Sequence, residues 1–313
     1  MTAAAELRPV RTTPVMLSAL GAGTASIGNA FGDVDDDAAV DLLNACLQSG
    51  VRYLDTAPLY GFGLAERRLG TALRELGQPE VTISTKVGRT LDESAPNRFR
   101  FDFSRNAILR GLEASLQRLG RDRVDIVYLH DPDEYEADVY REAWPTLESL
   151  RAEGVVGAIG VGMNQWQLPL RLVNRVDIDV VMLAGRYTLL DQSAGEVFLP
   201  TCQQRGVAVV LAGVFNSGIL VNPSDGAWYD YEPASTELLA RARAIRTLAA
   251  KYAVTLPELA LRFAFSHPAV TSVVVGVGSA RNLLRNAEAL EVPYPSELFD
   301  RLLNEGLIRS FSS

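Results

Sequence analysis

Cysteine is scarce in this sequence: Cys46 and Cys202 are the only two in 313 residues. Both fall in predicted helices far apart along the chain, which leaves no basis for a disulfide framework. The expected setting is a reducing compartment, the cytoplasm. No run of about 18 apolar residues occurs, so no membrane-spanning helix is expected. Met1 to Pro9 lacks the apolar core of a secretory signal. No Lys/Arg block interrupts the formal net charge of −8, so nucleic acid is not an expected partner. His, Cys and Asp show no metal-ligand spacing, and no metal is expected.

What is present is a large apolar fraction, 48%, with 22% charged residues, enough to build a sizeable core. Short apolar strands alternate with amphipathic helices throughout. Pro9 to Leu17 reads as a short β-hairpin, because Pro14 sits between two extended stretches. Leu17-Ser18-Ala19-Leu20 reads as the first barrel strand. The acidic run Asp33, Asp35, Asp36, Asp37 opens the first helix, where carboxylates suit free amides and the positive end of the dipole. Val40, Leu43 and Leu47 continue it and Gly50 ends it. Further strands are expected at Val51–Asp55, Val81–Lys86, Val124–His130, Ala158–Gly162, Asp179–Ala184, Val207–Ala212 and Ser272–Val275. Helices lie between them, the fourth centred on Ala143 to Leu150. The longest gap, between the seventh and eighth strands, holds a loop over Phe215 to Pro233 and two helices, about Ser235–Tyr252 and Leu256–Phe265. Eight such units fit a (β/α)₈ (TIM) barrel better than an open doubly wound sheet. No linker divides the chain, so residues 1–313 are expected to form a single domain.

Barrels gather their functional groups at the C-terminal ends of the strands. There the second strand ends in Asp55, with Tyr60 just beyond. The third ends in Lys86 and the fourth in His130. A phenol with a pKa near ~10 exchanges its proton poorly at neutral pH. A neighbouring ammonium favours the phenolate, and Asp55 keeps Lys86 charged and oriented. His130 is suited to hydrogen-bond a reacting oxygen while Tyr60 gives or takes a proton. No protein side chain supplies a hydride, so a nicotinamide is required. Singly, each residue has a plainer role as a rim charge, a rim aromatic or a structural histidine. On adjacent strands they read as one site. His267, before the eighth strand, should sit on the opposite face as a structural residue.

The motifs Asp55-Thr56-Ala57-Pro58-Leu59-Tyr60-Gly61, Ser84-Thr85-Lys86-Val87-Gly88 and Leu129-His130-Asp131 resemble the signatures of the aldo-keto reductases, in order and along nearly the whole chain. The resemblance implies a (β/α)₈ barrel that binds NAD(P)(H) without a Rossmann domain. It implies Tyr60 as acid/base, assisted by Lys86, Asp55 and His130. The segment Leu183-Ala184-Gly185-Arg186-Tyr187-Thr188-Leu189-Leu190-Asp191-Gln192 is most similar to the branch that oxidises aldoses at C1. That branch includes the L-fucose, D-threo-aldose and L-galactose 1-dehydrogenases.

Gly21-Ala22-Gly23-Thr24-Ala25-Ser26 lacks the third glycine of a dinucleotide fingerprint and opens no helix directly. Gly23 still permits close approach of a nicotinamide. Gly276, Gly278 and Ser279, with Arg281 and Asn282, lead into a helix whose N-terminus suits a phosphate. By the resemblance, this segment and Asn286 hold the adenosine half. Gly213, Phe215, Ser217 and Gly218 form the pyrophosphate loop, and Asn164 contacts the carboxamide. Gly276 and Asn282 stand where members preferring NADP often carry basic residues. The resemblance therefore leans toward NAD, with NADP use still open through Arg281. Ala184 and Ala212 replace a glutamine and an aromatic that commonly hold the nicotinamide ring.

The aromatic, polar loop Trp228-Tyr229-Asp230-Tyr231 is expected to overhang the same rim. His130, Asp131, Asp133 and Trp166 are further candidates for a small-molecule sugar. The expected reaction is oxidation of a free aldose of L-fucose, L-galactose or D-arabinose type. Reduction or oxidation of small aldehydes, including pyridoxal-like ones, is the near alternative. A non-catalytic regulatory barrel and a metal-dependent hydrolase are more distant ones. Both a monomer and a homodimer fit the sequence.

Overall fold

A computed structural model describes residues 2–30, 32–95, 97–230, 232–292 and 295–309. Eight parallel strands close into a barrel, each beside the next in chain order and the last against the first. In chain order these are β3 (Leu20–Gly23), β4 (Tyr53–Asp55), β5 (Thr82–Val87), β8 (Val124–His130), β9 (Val156–Met163), β10 (Val180–Ala184), β11 (Ala208–Ala212) and β14 (Val270–Gly276). The predicted barrel is therefore the observed fold. Helices α1 (Asp37–Ser49), α2 (Leu64–Glu75), α3 (Arg105–Leu119), α5 (Trp144–Ala152), α6 (Gln167–Arg175), α7 (Phe198–Arg205) and α10 (Ala280–Ala289) surround it. The gap before β14 holds α8 (Thr236–Ala250) and α9 (Leu256–Ala264), and α11 (Ser296–Asn304) follows α10.

Alternation along the strands divides the apolar residues into two cores. Tyr53, Ile126, Tyr128, Ala158, Val180, Met182, Ala208, Val210 and Val274 fill the barrel lumen. Leu54, Ile83, Val127, Leu129, Ile159, Val181, Val209 and Val273 face outward against the helices. Val10, Val15 and Leu17 join the inner core from the N-terminal hairpin.

That hairpin corrects two expected boundaries. Leu7–Pro9 (β1) pairs with Met16–Ser18 (β2), so the extended arms flank the turn at residues 10–15. Leu17 belongs to this plug, and the first barrel strand starts only at Leu20. Of the acidic run, only the Asp35 carboxylate accepts from a first-turn amide, the Ala38 N–H at 3.1 Å, while the N-cap residue Asp36 pairs with Arg68 at 2.7 Å instead. The fourth helical segment starts earlier than Ala143. A single turn at Glu136–Asp138 (α4) runs through a π-helical stretch, Val139–Ala143, into α5. Two small antiparallel hairpins were not expected. One pairs β6 (Arg89–Leu91) with β7 (Phe99–Phe101), and the other pairs β12 (Trp228–Tyr229) with β13 (Glu232–Pro233). Tyr231 lies outside the described residues.

Candidate active site

The period of two that fills the lumen also aims its upper layer. On β4 it points Tyr53 and Asp55 inward, on β5 Ser84 and Lys86, and on β8 Tyr128 and His130. The lower members form a hydrogen-bonded floor. The Tyr53 hydroxyl lies 3.1 Å from that of Tyr128 and 3.0 Å from Ser84 Oγ. Ser84 Oγ in turn donates to Asp55 Oδ1 at 2.7 Å.

Above that floor Lys86 Nζ donates to both Asp55 oxygens at 2.8 and 2.7 Å, to the Thr56 carbonyl at 3.0 Å and to the Tyr60 hydroxyl at 3.1 Å. The side chains of Lys86 and Asp55 are each 3% exposed. Tyr60 is carried by the turn between β4 and α2. There Gly28 and Gly61 bring two backbone segments into contact: a Cβ on Gly28 would meet the Tyr60 carbonyl carbon at 2.7 Å.

The electrostatics follow from burial and neighbours. Burial opposes the charge on Lys86, but Asp55 and the Tyr60 oxygen outweigh it and raise the Lys86 pKa. Burial, reinforced by the cations Lys86 and Arg89, holds His130 well below its ordinary 6.5. His130 is therefore a neutral imidazole at neutral pH. The result is a phenol beside a fixed ammonium and an uncharged hydrogen-bonding group, an arrangement for proton exchange with an oxygen substituent.

These four residues line one cavity of about 590 Å³ at the C-terminal mouth of the barrel. Gly23, Asp131, Asn164, Gly213 and Gly276 line it as well, so the structure brings five further sequence-nominated residues to the tetrad. Ala184 and Ala212 are also in its wall. The remaining nominees lie outside the lining. Phe215, Ser217 and Gly218 belong to a 3₁₀ turn just after β11. Gly278, Ser279, Arg281, Asn282 and Asn286 lead into or occupy α10, and Ser279 Oγ caps its N-terminus by accepting from the Asn282 N–H at 3.3 Å.

Trp166 precedes α6 and packs on the outer core. Trp228 is 53% exposed. The Tyr229 hydroxyl donates to Asp191 at 3.5 Å, and Arg186 holds Asp230 at 2.7 Å. Trp228 and Tyr229 sit on a pinned hairpin, and none of the three aromatics is in the cavity wall. Asp133 lies in the short 3₁₀ turn after β8. His267 accepts from the Ala269 N–H at 3.1 Å at the start of β14, away from the rim, as its position before that strand implied.

Arg89 was missed by sequence reasoning, and it lines the cavity. Its guanidinium donates to Asp131 at 2.7 Å and lies over the rings of Phe99 and Phe101, 4.4 and 5.1 Å from their centroids. The available signal was the alternation Phe99, Phe101, Phe103, the period of a strand.

The chain's own residues fit a nicotinamide cofactor. A Cβ on Gly276 would meet no atom of the described residues within 4 Å, so packing among them does not demand glycine there. A flat group laid against that backbone would. Asn216 Oδ1 is buried with no hydrogen-bond partner among the described residues. Asn216 and Ser217 hold consecutive φ angles of 45° and 55°, and such strain concentrates at ligand-binding loops. Among the described residues no group of His, Cys, Asp and Glu is placed to hold a metal. No helix there is long and apolar enough to cross a membrane. Both cysteines are buried, and burial pushes the Cys46 thiol up to about 12.

Comparison with known proteins agrees with this geometry. The model of the Aldo/keto reductase family matches residues 19–304. A D-threo-aldose 1-dehydrogenase from Pseudomonas sp is 39% identical, over 93% of this chain and 95% of the relative. A pyridoxal 4-dehydrogenase from Microbacterium luteolum is 38% identical, over 97% and 98%. Among solved structures, the holo form of an aldo-keto reductase from Bacillus halodurans superposes with a TM-score of 0.80. It covers 98% of both chains at 25% identity.

Proposed function

This chain belongs to the aldo/keto reductase family, and on that premise we propose that it oxidises a free aldose at C1 with NAD(P)⁺. The product is a lactone, which water opens to the aldonate. The observation that carries the reading is the Lys86 ammonium, 3.1 Å from the Tyr60 hydroxyl and locked onto Asp55. That ammonium favours the Tyr60 phenolate, which takes the proton of the anomeric hydroxyl. His130, held neutral, hydrogen-bonds the same oxygen and fixes its direction. A nicotinamide, when bound, would supply the acceptor for the hydride of C1. Gly23, Asn164, Gly213 and Gly276 would hold its ring end. The N-terminus of α10, with Arg281, Asn282 and Asn286, would hold the adenosine end. The non-basic Gly276 and Asn282 favour NAD over NADP.

An aldose of L-fucose, L-galactose or D-arabinose type is the substrate this reading favours, in line with the similarity to a D-threo-aldose 1-dehydrogenase. The similarity to a pyridoxal 4-dehydrogenase favours a second reading, in which the substrate is a pyridoxal-like aldehyde. Cofactor reduction followed by absorbance, with a panel of free aldoses and with pyridoxal, separates the two. Sugar-dependent reduction that Tyr60→Phe abolishes supports the first. Turnover of pyridoxal alone overturns it.

A further inference from the structure

We propose that Arg89 and Asp131 form a specificity-determining pair that reads the hydroxyl next to the reacting carbon, and that they select neutral polyhydroxylated substrates over acidic ones. This inference rests on the aldose reading.

The pair stands beside the tetrad, not within it. Asp131 follows His130 directly, and its carboxylate lies 3.7 Å from His130 Nε2. That separation is comparable with the distance between oxygens on neighbouring carbons. A substrate whose reacting oxygen is held by His130 therefore presents its adjacent hydroxyl to Asp131 and Arg89. The two side chains offer complementary chemistry there: the carboxylate accepts and the guanidinium donates.

Both are held in place. Asp131 has a φ of 48°, a conformation unusual for a non-glycine residue, and its N–H donates to the Gly162 carbonyl at 3.0 Å. Arg89 is fixed by the edge-to-face ring pair Phe99 and Phe101 beside its guanidinium and by Asp131 at 2.7 Å. Its Nε is buried with no hydrogen-bond partner among the described residues. The β6–β7 hairpin thus acts as a brace for one guanidinium.

Charge gives the substrate class. The cavity holds two cations, Lys86 and Arg89, against two carboxylates, Asp55 and Asp131, with His130 neutral. Each cation already has its anion at 2.7 Å. A sugar phosphate or uronate would bring an unbalanced charge against Asp131. A neutral polyol exchanges hydrogen bonds with the pair without changing that balance.

The test compares wild type, Arg89→Met and the charge-balanced double variant Arg89→Met/Asp131→Asn. Methionine keeps a stem against the two rings, and the double variant leaves no unpaired carboxylate beside them. Each enzyme is assayed with its best aldose, the 2-deoxy analogue and a phosphate monoester of the same sugar at a hydroxyl other than those on C1 and C2. The expected result is a rise of about tenfold to a hundredfold in KM for the aldose, the scale of a lost charge-assisted hydrogen bond, with a smaller change in kcat. Discrimination against the 2-deoxy analogue collapses in both variants, whereas a merely structural lesion lowers both sugars alike and preserves their ratio. Wild type rejects the phosphate. An unchanged ratio in both variants, or efficient turnover of the phosphate by wild type, overturns the proposal and leaves the aldose reading intact. Wild type inactive toward every aldose overturns both.

Discussion

Lys86 holds its ammonium 3.1 Å from the Tyr60 hydroxyl while donating to both oxygens of Asp55. The lysine cannot be replaced without altering both ends of that bridge. Lys86→Met removes the charge that favours the phenolate. It is expected to lower kcat by about 10²–10⁴, the range of lost acid/base assistance, and to move the acidic limb of the kcat profile, where the Tyr60 base must lose its proton, to higher pH. Asp55→Asn leaves a buried ammonium without its counter-charge and costs about 3–5 kcal/mol of stability. A pH–rate series with parallel thermal melts checks both. Wild-type kcat in Lys86→Met would remove the bridge from the mechanism.

Gly28 lies outside the described cavity lining yet against the Tyr60 backbone. A Cβ there would sit 2.7 and 2.8 Å from the Tyr60 carbonyl carbon and oxygen, so the turn must move. Gly28→Ala is expected to lower kcat about a hundredfold by displacing the phenol, as small misplacements of a reacting group do. Gly61→Ala should be worse, because Gly61 has a φ of +62° and its Cβ would lie 2.3 Å from the Gly28 carbonyl oxygen. Kinetics of Gly28→Ala at saturating cofactor decide the matter; unchanged kcat would show that the turn has slack.

His130 sets a pH dependence of stability. Its folded pKa is depressed below 6.5. Below pH 6.5 the unfolded chain binds a proton that the folded chain refuses. The contribution is therefore complete above 6.5 and is lost as pH falls through the folded value, at about 1.4 kcal/mol per pH unit. His130→Gln should flatten that slope between pH 6.5 and 5.5 in denaturant unfolding. Identical slopes for variant and wild type would contradict a neutral buried imidazole.

Glu66 is fully buried on the outer side of β5. It accepts from Thr85 Oγ1 and from Arg118 Nε, each at 2.6 Å. Thr85 points away from the lumen and Lys86 into it. Glu66→Gln is therefore expected to cost about 3–5 kcal/mol with kcat near wild type. Glu66→Met/Arg118→Met should recover much of the loss, since no buried charge is left unpaired. Unfolding curves of the three proteins test this, and a double variant as unstable as the single would refute it.

The barrel was legible because alternation and helical periodicity agree along the chain. The grouping of Asp55, Tyr60, Lys86 and His130 was legible because three consecutive strands end in a carboxylate, an ammonium and an imidazole, with the phenol just beyond the first. Leu17 misled the strand boundary: an apolar residue that plugs the barrel floor looks the same in sequence as one inside a barrel strand. Arg89 was invisible for a different reason. Its position depends on β6 pairing with β7, where Arg89 stands opposite Phe101, a register that a lone arginine does not announce. Trp228 shows the converse, since an aromatic loop signals binding in composition but is turned to solvent by its ion-paired hairpin.

The central claim is hydride removal from C1 of an aldose with Tyr60 as base. It is tested most directly with an aldose carrying deuterium at C1, incubated with the enzyme and NAD⁺, and mass spectrometry of the recovered cofactor. The account predicts one deuterium in the reduced nicotinamide, a slower rate than with the protiated sugar, and no transfer in Tyr60→Phe. Reduced cofactor without deuterium, or undiminished transfer in Tyr60→Phe, would contradict it.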